Sequence, residues 1–138
     1  MPTPHTYDYA VLRVVPRVER GEFVNAGIVL WCVGTRFLEA RIALDEAALK
    51  ALDPGVDLPL VHEALVAVER ICRGGEGAGA LGKLSAGERF HWLVAPRSTI
   101  IQTSPVHTGR CTDPAATLER LMATMVARAP AASPSAEP

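Results

Sequence analysis

The 138-residue sequence is short of the residues that usually announce chemistry. Its three cysteines, Cys32, Cys72 and Cys111, are odd in number and far apart, with no CxxC pair. That excludes a disulfide-stapled scaffold and points to reduced, buried thiols in a cytoplasmic setting. The histidines, His5, His62, His91 and His107, form no H-x-H or H-x-x-x-H pattern and no Cys/His spacing typical of zinc, so neither a metal nor a cofactor is expected. Charge of either sign is scarce: 14 basic against 15 acidic residues leave a net charge of -1, with no global field to draw the chain onto nucleic acid. Only seven aromatics are present, and Trp31, Phe37, Phe90 and Trp92 sit in core-like runs rather than forming a stacking platform.

Long apolar runs are missing too. No uncharged stretch approaches the roughly 18 residues of a membrane span, and Met1 leads into Pro2-Thr3-Pro4-His5 without the basic start and apolar run of a secretory signal. Gly74 to Gly79 holds four glycines in six residues but lacks a GK[ST] ending and follows a helix, so it reads as a cap and flexible loop rather than a phosphate cradle. There is no G-x-S-x-G elbow. Asp8, Glu39, Asp45 and Glu46 give no clear catalytic carboxylate pair.

What is present is apolar: 49% of the residues are hydrophobic. A chain of this size buries about two-thirds of its unfolded surface, enough for a core without staples. One domain over residues 1–128 is expected, followed by a disordered Ala/Pro/Ser-rich tail over 129–138.

Tyr7 to Val18 alternates as a strand with Tyr7, Tyr9, Val11, Arg13 and Val15 on one face and Ala10, Leu12 and Val14 on the other, edged by Pro16. Phe23 to Val33 ends in six continuous apolar residues and reads as a strand buried on both faces, entered through an Asn25-Ala26-Gly27 that suits a bulge or close backbone approach. Phe37 to Ile42 returns antiparallel after a short turn. Asp45 caps a short helix through Leu52, and Asp57 caps a longer one to about Arg73 with Val61, Leu65, Val68 and Cys72 on its apolar stripe. Phe90 to Val94 and Ser98 to Thr103 read as two further strands, and Asp113-Pro114 opens a last helix with Leu118, Leu121, Met122 and Met125 on one face. The order β-β-β-α-α-β-β-α predicts an α+β domain: a mainly antiparallel sheet, built from a three-strand N-terminal meander plus two later strands, with helices packed on one face.

The segment Ala95 to Gly109 gathers most of the polar candidates. Arg97, Ser98 and Thr99 stand where a turn meets a strand, so a guanidinium, hydroxyls and backbone N–H groups can converge there on a phosphate or carboxylate. The same hydroxyls equally suit local capping, with Arg97 paired to an acid. Gln102, Ser104 and His107 extend the set, His107 either as a ligand contact or as a turn histidine. A Ser104–His107 nucleophile and base lacks an orienting third group. Arg13 adds a second positive charge if the first and last strands are neighbours, and Asn25 either offers an amide at the mouth of the sheet or serves the backbone.

Two segments carry a resemblance. Tyr7-Asp8-Tyr9 through Leu12-Arg13-Val14-Val15-Pro16 to Glu22-Phe23-Val24-Asn25-Ala26-Gly27-Ile28-Val29-Leu30, and Ala95-Pro96-Arg97-Ser98-Thr99 with Gln102, Ser104 and His107-Thr108-Gly109, resemble the bacterial family of domain of unknown function 3037 over about residues 5 to 128. The resemblance implies no activity, cofactor or catalytic residue. It implies association with a HipA-like kinase, beside which family members are often encoded. The expectation from residues and resemblance together is a non-catalytic binding or regulatory module acting with a protein partner, with Arg97, Ser98, Thr99, Gln102, Ser104 and His107 as its surface and Arg13 and Asn25 as additions. The alternative is an enzyme or binder acting on a phosphate-containing or nucleotide ligand, with Arg97 as anion clamp and His107 as acid or base.

Overall fold

A computed structural model describes residues 3–127. Its centre is a pair of strands, β1 (His5–Val14) and β2 (Val24–Cys32), joined antiparallel with Tyr9 opposite Leu30 and Val11 opposite Ile28. The register shifts between Leu12 and Arg13, because Leu12 pairs with Gly27 and Arg13 with Asn25, leaving Ala26 as the extra residue of a bulge. Here the Asn25-Ala26-Gly27 expectation holds. β3 (Phe37–Ile42) returns along β2, and Ala26 gives its carbonyl to the Ala43 N–H at 2.8 Å.

Two short strands complete the sheet against the other flank of β1. β4 (Ile101–Thr103) pairs with Leu12 to Val14, and β5 (His107–Cys111) pairs with His5 to Tyr9. The order is β3-β2-β1-β4 with β5 also on β1, every pairing antiparallel. The helices are α1 (Glu46–Leu52), α2 (Leu58–Arg73), α3 (Ala86–Val94) and α4 (Pro114–Met125). Asp45, Asp57 and Asp113 cap α1, α2 and α4 through their carboxylates, as the sequence indicates. The glycine-rich segment winds through 3₁₀ turns over Glu76–Lys83, after a Gly74 whose φ of 72° only glycine adopts readily. The α+β class with a mainly antiparallel sheet is therefore what the chain forms.

Three details differ from the sequence expectation. Phe90 to Val94 is the second half of helix α3 rather than a strand. Of Ser98 to Thr103 only the last three residues are strand, and the remaining strand is His107–Cys111. The helices also occupy both faces rather than one. Tyr7 and Val11 of β1 with Ile28, Leu30 and Cys32 of β2 pack on Leu118, Leu121 and Met122 of α4. Ala10, Leu12, Val29 and Trp31 pack on Val68, Ile71 and Cys72 of α2 and Phe90 and Leu93 of α3. The reason lies in β2, whose continuous apolar run exposes hydrocarbon on both sides and requires cover on both, at about 2 kcal/mol for each large side chain fully withdrawn from water. The expected tail over residues 129–138 lies outside the described residues. No helix among the described residues is long and apolar enough to cross a membrane.

Candidate functional site

An apolar cleft of about 220 Å³ lies between α2, α3 and the chain entering β4. Its floor is the core itself, Leu12, Val68, Ile71 and Leu93, and its wall on α2 is opened by the small side chains of Ala64 and Ala67. Trp92, Arg97, Thr99, Ile100, Ile101 and Thr103 complete the lining. Trp92 is 41% exposed, a large indole left partly in water at the end of α3.

Arg97 is held in place rather than free. Its guanidinium lies 4.1 Å over the Trp92 ring, with Nε donating to the Ala95 carbonyl at 3.3 Å and an Nη donating to the Trp92 carbonyl. These contacts satisfy carbonyls at the C-terminus of α3 and place a positive charge at the end of the helix dipole that favours it. Thr99 is bonded locally, its hydroxyl donating to the Ile101 carbonyl at 2.9 Å while its own carbonyl accepts from Gln102 Nε2 at 2.9 Å. Ser98 is exposed between them.

Gln102 and Ser104 line a second concavity, of about 380 Å³, together with Arg97 and Thr103. Ser104 is 5% exposed, and its hydroxyl accepts from the Val11 N–H and donates to the Pro105 carbonyl, each at 2.9 Å. Both functions of the hydroxyl are thus spent on backbone at the junction of β4 and β5. His107 opens β5 opposite Tyr9, its ring 5.4 Å from the Tyr9 ring, and is exposed on the α4 side of the sheet. Arg97 stands on the α2 and α3 side, so Arg97 and His107 occupy opposite faces and do not share a pocket.

Arg13 does reach the neighbourhood of later strands, opposite Gln102 of β4 and Asn25 of β2. Its guanidinium covers the Phe23 ring at 4.2 Å. Asn25 Nδ2 donates to the Met125 carbonyl at 3.2 Å, tying the bulge to the end of α4. Arg13 Nε and Asn25 Oδ1 are buried without a hydrogen-bond partner. The eight sequence candidates thus fall at the cleft rim (Arg97, Ser98 and Thr99), at the β4 junction (Gln102 and Ser104), which the second concavity joins to Arg97, and on the α4 face (Arg13, Asn25 and His107).

All three cysteine thiols are free and buried, and burial pushes the Cys72 thiol up to about 12 and also raises that of Cys111. Sequence reasoning missed Trp92, Ala64 and Ala67. The signal that finds Trp92 is Ser85-x-x-Glu88, a capping box that opens α3, with both reciprocal bonds formed.

A family model described as protein of unknown function (DUF3037) matches residues 9–126, from within β1 to just past α4. No curated protein and no solved structure matches the chain.

Proposed function

The chain belongs to the family described as protein of unknown function (DUF3037), and on that premise, which brings no activity with it, we propose a non-catalytic binding or regulatory module. In this reading it acts in the cytoplasm by seating an apolar side chain of a protein partner in the cleft between α2, α3 and β4. One observation carries the reading: the Trp92–Arg97 stack stands at the rim of a pocket whose floor is apolar. Tryptophan and arginine are the residues that concentrate binding energy at interfaces, above all when their geometry is fixed before the partner arrives. Two donors of Arg97 are held by the Trp92 and Ala95 carbonyls, which leaves others of its five N–H groups for a carboxylate next to the inserted side chain. The HipA-like kinase implied by the family resemblance is the first partner to test.

The alternative reading, an enzyme or binder of a phosphate-containing or nucleotide ligand, has less support. A phosphate at Arg97 meets a single guanidinium beside Gln102 and Thr103, and the imidazole wanted as acid or base is on the other face. The decisive experiment captures partners of the tagged protein from its native host with wild type, Ala67→Glu and His107→Ala. Ala67 is exposed on α2 and lines the cleft, so the longer side chain fills the cleft without disturbing the core. A stoichiometric partner held by wild type and His107→Ala but lost from Ala67→Glu is expected. Retention by Ala67→Glu refutes the assignment.

A further inference from the structure

The opposite edge of the sheet carries a second surface. Among the described residues β3 pairs with β2 on one flank and with no strand on the other. The Ala43 N–H bonds to the Ala26 carbonyl, so in the antiparallel ladder Phe37, Glu39 and Arg41 also direct their backbone groups to β2, and Leu38, Ala40 and Ile42 direct theirs outward. Exposed edges are normally blunted by charged side chains, above all Lys, by Pro, by a bulge or by a covering segment, and here the two charges, Glu39 and Arg41, are of opposite sign. The sequence Phe-Leu-Glu-Ala-Arg-Ile has no Pro, Lys or Gly, and an open groove lined by Leu38 to Arg41 runs between it and Glu69, Cys72 and Arg73 of α2.

We propose that two copies of this chain join through their β3 edges, antiparallel about a two-fold axis at Ala40, to form one continuous sheet. The backbone parity permits only registers in which outward-facing residues meet outward-facing residues. Of those, placing Ala40 opposite Ala40 of the second copy sets Leu38 opposite Ile42 on the α2 side and Glu39 opposite Arg41 on the α4 side, twice over by symmetry. A shift of two residues in either direction loses this match, one of the two shifts placing Arg41 opposite Arg41. Glu39 and Arg41 fall at the non-hydrogen-bonded positions, where opposite side chains approach most closely. Glu39 has no ion pair in its own chain among the described residues, and Arg41 pairs with the exposed Glu119 at 2.8 Å through one Nη, leaving further donors for the second copy. Glu69 and Arg73 add one charge of each sign beside the same edge, so the patch is neutral and complementary to itself.

The test is the molecular mass in solution over a dilution series, against 14.7 kDa for one chain. Wild type is expected to approach twice that mass as concentration rises. Glu39→Arg and Arg41→Glu each set like charges across both pairs and are expected to weaken association about tenfold or more. Mixing the two variants restores both attractions and is expected to recover the dimer. Both residues are exposed, and unchanged circular dichroism is the control for folding. Hydrogen exchange on wild type needs no variant: the Leu38, Ala40 and Ile42 amides become protected as concentration rises. A wild type that stays monomeric, a dimer indifferent to both variants, variants that fail to complement, or protection elsewhere than β3 each overturns the proposal.

Discussion

Gly27 has no room for a side chain: a Cβ there falls 2.4 Å from the Arg41 carbonyl oxygen and 3.2 Å from Leu12 Cδ1. The first of these neighbours is backbone of β3, next to its last residue, which cannot move without breaking the ladder. Gly27→Ala is therefore expected to cost about 2 kcal/mol or more, read as a lower denaturant midpoint with an unchanged slope. An unchanged midpoint means that the bulge relaxes to admit the methyl group and contradicts this account of Gly27. This residue was legible in the sequence, because an Asn-x-Gly at the start of an apolar strand has few backbone explanations. The candidates from Arg97 to His107 were legible as a polar cluster, but not the placing of His107 apart from Arg97, Gln102 and Ser104. Nearness along the chain does not report the face of a sheet. Between these residues the backbone caps a helix, turns, forms three residues of β4, passes the buried Ser104 junction and enters β5. Arg97 and His107 are thereby carried to opposite sides.

At the scale of the element, α3 shows how local preference loses to capping. Phe90-His91-Trp92-Leu93-Val94 contains aromatic and β-branched residues that favour a strand by themselves. Ser85 and Glu88 decide otherwise by satisfying two orphan N–H groups at the helix start, and the buried pair Phe90 and Leu93 stands at helical spacing. Ser85→Ala is expected to lower stability by about 1 kcal/mol and to loosen the end of the cleft that α3 supplies. The check is a denaturation midpoint together with exchange rates of the α3 amides, and a midpoint shift without faster exchange in α3 contradicts the capping account. β5 escaped the sequence for the converse reason. Of His107–Cys111 only Cys111 is buried, so no apolar alternation marks it, and its strand character comes from pairing with β1.

For the whole molecule, the two apolar faces of β1 and β2 dictate the layering. The continuous run in β2 was readable from the sequence, but its consequence, helices on both sides, follows only when the cover for each face is counted. This layering leaves two surfaces at separate ends of the sheet order, a cleft beside β4 and an open edge at β3. The central claim is that the cleft receives a partner, and Trp92 is its natural reporter. The chain has two tryptophans, of which Trp31 is buried and Trp92 is at the cleft rim. In a Trp31→Phe variant confirmed to fold, Trp92 is the only indole. The most direct measurement is its emission wavelength and acrylamide quenching as the captured partner is added, with that partner's own tryptophans replaced. Insertion at the cleft predicts a blue shift and reduced quenching that saturate at a defined stoichiometry and vanish in Ala67→Glu. A Trp92 signal that does not change while the partner binds contradicts the account.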